Sequence, residues 1–182
     1  GGYDLTPYFP YDKDCLMWHK DAKQHFDLFN KKYYKEFAKN CDDYFFLPHR
    51  KEKRGIGGVF FDNFNELDLD SSLEMLKNTS KTYLNSYLKI INLRKGRKYT
   101  AKDKSFQEYR RGRYAEFNLL YDRGTSFGLQ SGGRTESILA SLPPQASWKY
   151  KKDSFFIKNE TKLLLALQNK WRGWSINDVE II

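Results

Sequence analysis

From Asp12 onward, apolar side chains recur at steps of three and four. Cys15, Trp18, Ala22, Phe26 and Phe29 fall on one side of a helix. Residues 1–11, broken by Pro7 and Pro10, read instead as an extended entry. A shorter helix is expected over Lys35–Asp43, stopped before Pro48. Gly55-Ile56-Gly57-Gly58-Val59-Phe60-Phe61-Asp62 has the apolar run and glycine-rich lead-in of a strand. Ser71-Ser72 is placed to cap the next helix, which carries Leu73, Leu76, Tyr83, Tyr87 and Ile91 on one face and ends at Lys95-Gly96.

A further helix covers Lys102–Arg111. The aromatic stretch from Tyr114 to Tyr121 predicts a strand, Asp122-Arg123-Gly124-Thr125 the turn of a β-hairpin, and Phe127–Gln130 the returning strand. Gly132-Gly133 is a break, Thr135–Leu142 a short helix, Trp148–Tyr150 a last strand and Lys162–Gln168 a last helix. The hairpin argues against an all-parallel sheet, so the expected class is α+β, one domain with an antiparallel sheet.

Composition narrows the class. The 182 residues suffice for one domain with a real core, and 40% hydrophobic residues are too many for a disordered tail. Lys+Arg outnumber Asp+Glu by 32 to 23, and 13 Tyr, 14 Phe and 4 Trp raise the aromatic share to 17%; both suit a flat or anionic partner. No apolar run is long enough to span a bilayer. The start, Gly1-Gly2-Tyr3-Asp4, has no initiator Met and no leader pattern, and is expected to be the start of a fragment. Two isolated cysteines, Cys15 and Cys41, give no disulfide framework and point to a reducing compartment.

Four segments offer candidate chemistry. In Gly1–Pro7, Asp4 is either a turn-forming residue or a carboxylate aimed into a cleft. In Lys39–Asp62, the glycines lack dinucleotide-binding spacing, and Arg50, Lys51, Lys53 and Arg54 read as a solvated basic face. Arg123 at the expected hairpin tip and Arg134 beside Gly132-Gly133 can hold anionic groups, or else pair with carboxylates such as Glu136. His19, His25 and His49 form no zinc-binding spacing.

Read together, these segments resemble the oxygen-dependent coproporphyrinogen III oxidases of haem biosynthesis. The residues are Lys39, Cys41, Tyr44–Phe46, His49-Arg50, Glu52, Arg54-Gly55, Gly57-Gly58 and Phe60-Phe61-Asp62. With them come Gly-Gly-x-Asp-Leu-Thr-Pro at the start, Arg110-Arg111-Gly112-Arg113-Tyr114-x-Glu116-Phe117-Asn118-Leu119, Asp122-Arg123-Gly124-Thr125 and Gly132-Gly133-Arg134-Thr135-Glu136-Ser137. Asn40 departs from the family's Trp, a change bearing on local packing.

The resemblance implies a large antiparallel sheet flanked by helices, the coproporphyrinogen III oxidase fold, in a homodimer whose interface lies around 114–150. It implies oxidative decarboxylation of coproporphyrinogen III by molecular oxygen, with no cofactor required. Asp4, Asp122 and Arg123 are then catalytic residues, Gly132, Gly133 and Arg134 bind substrate, and His19 and His49 are two proposed ligands of a divalent metal. Members run to about 300 residues, so the chain is expected to be the C-terminal part. The proposed catalytic histidine, further strands and part of the pocket then lie upstream. Bacterial and fungal members are cytoplasmic and animal ones mitochondrial. The rival readings are a silent tetrapyrrole-binding or dimerisation scaffold and a basic nucleic-acid-binding module. Against the last, the cations are spread along the chain and form no single motif.

Overall fold

A computed structural model gives the fold and describes residues 1–168. Strand β1 (Gly2–Leu5) pairs antiparallel with β4 (Gly57–Phe60), with Tyr3 opposite Val59 and Asp4 opposite Gly58. Alternation sends Tyr3 and Val59 to the core face and leaves Asp4 and Phe60 together on the other. The ribbon is tight at Gly58, where a Cβ would fall 2.1 Å from the Tyr3 carbonyl oxygen.

Helix α1 (Asp12–Asp27) lies on the core face. It buries Cys15, Trp18, Ala22 and Phe26, as its periodicity predicts. Trp18 Nε1 donates to the Gly57 carbonyl at 3.0 Å, tying helix to strand. Helix α2 (Tyr33–Tyr44) adds Tyr33, Tyr34, Phe37 and Cys41 to the same core, while Asn40 is exposed and takes no part in it. Burial pushes the Cys15 thiol up to about 12, assisted by the nearby Asp12 and Asp14.

A short hairpin follows, β2 (Phe46–Leu47) with β3 (Glu52–Lys53). Helix α3 (Leu69–Arg94) is capped by Asp68, which accepts the Ser71 N–H at 2.9 Å, so Ser71 and Ser72, expected as the cap, are the third and fourth residues of the helix. Its buried residues are Met75, Thr79 and Ser86. The expected face of Leu73, Leu76, Tyr83, Tyr87 and Ile91 is exposed.

Helix α4 (Ala101–Leu120) opens with a reciprocal cap between Thr100 and Asp103 and continues straight through the stretch expected as a strand. Its buried positions Phe106, Tyr109, Arg110, Arg113 and Phe117 keep helical spacing only when the arginines are counted as interior residues. The expected hairpin is likewise replaced. Asp122 caps helix α5 (Arg123–Gln130), which turns at Gly132 (φ 69°) into α6 (Thr135–Ile138) and a 3-10 turn over Leu139–Ser141. Trp148–Tyr150 is irregular chain, and α7 (Ser154–Leu167) starts earlier than its apolar residues suggest because Asp153 caps it. The class is α+β. The β part among the described residues is two two-stranded antiparallel pairs, not a large sheet.

The segment after α6 folds back onto α4 over Gly112. Ser147 N–H donates to the Glu108 carbonyl at 2.9 Å, and a Cβ on Gly112 would meet the Ser147 carbonyl oxygen at 2.7 Å. An interior helical Gly→Ala change ordinarily stabilises by about 0.5–1 kcal/mol. Here the sign reverses: Gly112→Ala is expected to lower the melting temperature followed by circular dichroism, whereas the exposed Gly96→Ala, with open space around it, is not.

Candidate active site

The β2–β3 hairpin turns at Pro48–Lys51, where Lys51 adopts φ 53°, and the turn throws His49 and Arg50 towards α4. Both land on Glu116. Its carboxylate accepts from Arg50 Nε at 2.9 Å and Nη2 at 2.6 Å, from His49 Nε2 at 2.8 Å and from Trp148 Nε1 at 2.8 Å, with Arg113 at 3.4 Å. Partial burial alone would raise its pKa. The donors, led by Arg50, outweigh burial and hold it down to about 2.

One step along the hairpin, Glu52 takes Arg110 Nη2 at 2.9 Å and lies 3.5 Å from Arg113 Nε; Arg110 reaches on to Glu160 of α7 at 3.2 Å. These residues were not singled out as chemistry from their spacing. Of the residues read as a solvated face, Arg50 and Lys51 are exposed, Arg50 while pairing with Glu116; Lys53 pairs with Asp42 and is half-buried, and Arg54 is buried against Asp4.

Arg54 carries the network to Asp4. Its Nη2 donates to Asp4 Oδ2 at 2.6 Å, and its guanidinium lies over Phe45, 3.8 Å from the ring centroid, with Tyr114 and Phe117 beyond. Among the described residues the buried Arg54 Nε finds no hydrogen-bond partner. Asp4 is therefore a strand residue held by a cation, not the turn its glycine neighbours suggest.

From Phe45 the aromatic slab continues. Tyr44 stacks on Phe60 with centroids 4.5 Å apart, and its hydroxyl donates to Asp122 Oδ1 at 2.8 Å. Asp122 Oδ2 accepts the Thr125 N–H and hydroxyl at 3.0 and 2.7 Å. Burial pushes this carboxyl up, but the Thr125 and Tyr44 hydrogen bonds prevail and it lies below the usual carboxylate range. Arg123, beside it, lies over the Tyr44 ring at 4.8 Å, pairs with Asp62 at 2.5 Å and is largely exposed. The fold thus joins Asp4, Asp122 and Arg123 through one continuous set of contacts.

Arg134 stands apart at the cap position of α6. It is exposed, its Nε donates to Ser137 Oγ at 2.8 Å, and Glu136 is not its partner. Gly132 and Gly133 form the turn beneath it, with Gly133 N–H donating to the Gly128 carbonyl.

The two histidines that the resemblance offers as metal ligands each have protein partners at both ring nitrogens. His19 is buried, with Nε2 at 2.9 Å from the Ile56 carbonyl and Nδ1 at 3.2 Å from the Tyr34 hydroxyl. His49 is occupied by Glu116 and, through Nδ1, by the Tyr121 hydroxyl at 2.8 Å. Among the described residues no three His, Cys, Asp or Glu side chains gather to hold an ion. No described helix is long and apolar enough to cross a membrane.

The protein is thus an α+β domain whose candidate site is built from carboxylate–guanidinium pairs around an aromatic slab. The family model for coproporphyrinogen III oxidase matches residues 1–174, and the chain belongs to that family. Proteins named oxygen-dependent coproporphyrinogen-III oxidase from Francisella tularensis subsp. holarctica and Francisella philomiragia are similar to it. They are 54% and 53% identical over 150 residues, covering 82% of this chain and 49% of each relative. The chain therefore spans about half the length of the curated relatives it matches.

Glu116 also sets a pH dependence. Its folded pKa of about 2 lies below the ordinary 4.5, so its contribution is complete above pH 4.5 and is lost as pH falls towards 2. In urea unfolding between pH 7 and pH 2.5, Glu116→Gln is expected to be less stable than the parent at neutral pH and to lose less on acidification. Parallel pH profiles for the two proteins would show that this carboxylate is not linked to folding.

Proposed function

We propose that the chain is part of an oxygen-dependent coproporphyrinogen III oxidase of haem biosynthesis. The observation that carries this reading is the family match across residues 1–174, which contain Asp4, Arg54, Asp122, Arg123 and Arg134. In the reaction, a propionate –CH2–CH2–COO⁻ with O2 and one proton becomes –CH=CH2, CO2 and H2O2. The side chain gives up two electrons and oxygen takes them, once for each of two propionates.

The chemistry of the residues suits this. Arg123 and Arg134 present exposed guanidinium groups to a substrate with four carboxylates. Asp122 already accepts from Tyr44 and Thr125, with the Gly124 N–H also drawn to it, and a pyrrole N–H would join that set. A carboxylate kept ionised there shares or takes that proton and enriches the ring whose side chain is oxidised. Asp4, fixed by Arg54, offers the same to a second N–H, and Phe60 and Tyr44 supply a flat apolar wall.

The β1–β4 ribbon is the kernel of the large antiparallel sheet expected of the family, completed in a family-length protein. The homodimer surface falls on 114–150, where Leu119, Leu120, Phe127 and Leu129 are exposed. The cytoplasm is the compartment this reading implies for a protein resembling bacterial members. The nucleic-acid reading loses ground, since many of its cations are already paired.

The test uses a protein of family length. Asn also caps helices well, so Asp122→Asn is expected to leave the melting temperature nearly unchanged. Turnover of coproporphyrinogen III, read as oxygen uptake and porphyrin fluorescence, should fall at least about a hundredfold. Arg123→Lys should chiefly raise KM, since an ammonium cannot grip a carboxylate with two parallel hydrogen bonds. If both variants turn over like the parent, the pair is structural and this site assignment is lost.

A further inference from the structure

A second cleft lies on the side of β1 away from the candidate site. Asp4 points off the core face, and Leu5, the next residue, points the other way. Leu5, Tyr8, Tyr11, Cys15, Tyr87 and Ile90 line a cavity there of about 520 Å³. Past Phe9, Tyr99, Asp103 and Gln107 it continues into a space of about 390 Å³ beside Lys104 and Arg111 of α4. Both volumes are in the range of small-molecule sites. None of Asp4, Asp122, Arg123 and Arg134 lines either part.

The lining combines ring faces with cations that have no acid of their own. The ion pairs of α3 and α4 use Lys89, Arg94, Arg110 and Arg113. Arg97, Lys98, Lys104 and Arg111 take part in none among the described residues. Lys104 reaches only the neutral Gln107 Oε1, at 2.9 Å. The two acids of the lining are already engaged. Asp14 is held by Arg94 through hydrogen bonds of 2.8 and 2.7 Å, and Asp103 accepts the Thr100 N–H and hydroxyl at 2.7 and 2.8 Å. The field of Arg97 reaches Asp103, but that leaves one carboxylate against four cations.

Nor does the end of α3 need them. Arg94 in its last turn and Lys95 at its cap already complement the carboxyl end of the helix dipole, and Arg97 and Lys98 lie beyond. The guanidinium groups of Arg94 and Arg97 are 3.9 and 4.8 Å from the centre of the same Tyr11 ring. Tyr99, beside them, is 77% exposed, a large ring face left in water. Unpaired cations crowded around rings repel one another until an anion is shared among them.

We propose that this cleft is a second ligand site, for a ring-bearing polyanion. A flat ring system lodges among Phe9, Tyr11 and Tyr99, and its phosphate or carboxylate groups are held by Arg97 and Lys98 at one end and by Lys104 and Arg111 at the other. The site stands apart from the oxidase reading and does not depend on it.

The experiment is isothermal titration calorimetry of the 182-residue chain in metal-free buffer of low salt, with ATP as probe and adenosine and inorganic triphosphate as its two halves. ATP is expected to bind at least about tenfold more tightly than either half, because charged hydrogen bonds and ring contacts are then made together. Arg97→Ala and Arg111→Ala, at opposite ends of the cleft, should each weaken ATP about tenfold, the worth of one charged hydrogen bond, with the circular dichroism melt unchanged. Arg97→Lys should keep most of the affinity. Tyr99→Ala should weaken ATP and leave triphosphate as it was. Lys77→Ala, an equal loss of charge on an exposed part of α3 outside the cleft, should change nothing. Benzene-1,3,5-tricarboxylate separates the two kinds of anion: tighter binding than ATP assigns the site to carboxylates and weaker binding to phosphates, and Arg97 and Arg111 must matter in both cases. No binding of either probe overturns the proposal. So does a loss with Lys77→Ala as large as with Arg97→Ala, which would make the attraction one of net charge alone. Binding that disappears in a protein of family length overturns it as well, since the cleft would then be a packing surface.

Discussion

Two carboxylates on the β2–β3 hairpin and α4, Glu52 and Glu116, hold the site together by binding arginines from each other's element. Arg50 of the hairpin reaches Glu116 of the helix, while Arg110 and Arg113 of the helix reach Glu52 of the hairpin. Charges this far out of water are costly unless matched, and removing one partner of a buried pair typically costs about 3–5 kcal/mol because the other is left stranded. The exchange fixes the hairpin in one register on α4. Everything further along depends on that register. Arg54 enters the ring-lined space between Phe45 and Phe117, Asp4 is drawn onto Arg54, and Tyr44 is set against Phe60 to meet Asp122.

The first half of the fold is legible in the sequence because hydrophobic periodicity there reports burial directly. Cys15, Trp18, Ala22 and Phe26 are interior, and Val59 occupies the strand its neighbours announce. The second half misleads because its interior is charged. From Arg110 to Tyr121 the residues that face inward include Arg110, Arg113 and Asn118, so a pattern scored on apolar residues sees only loosely alternating aromatics and suggests a strand. Asp122-Arg123-Gly124-Thr125 misleads for a different reason. Asp with Thr three residues later serves a helix start as readily as a turn, and only the Tyr44 hydroxyl and the returning α5–α6 pair decide between them.

Asp4, Asp122 and Arg123, which the resemblance implies to be catalytic, are linked through residues whose part no spacing announces. Arg54 is the clearest of these: within a run of basic residues it looks like surface, and it is buried. His19 shows the converse. Its imidazole bridges α2 and the lead-in to β4, work that any polar residue of that shape can do, and nothing in the sequence separates that task from metal binding.

The state of Cys15 matters to a domain whose proposed chemistry releases hydrogen peroxide at each decarboxylation. Peroxide attacks thiolates, and a thiol pushed up to about 12 has essentially none at neutral pH. Cys41 is likewise buried in the same half of the core. The Cys15 sulfur sits in the aromatic core that shapes the fold, where a sulfenic acid would introduce a polar group with no place to go. A protonated, interior Cys15 is thereby shielded from the peroxide that the proposed chemistry would release.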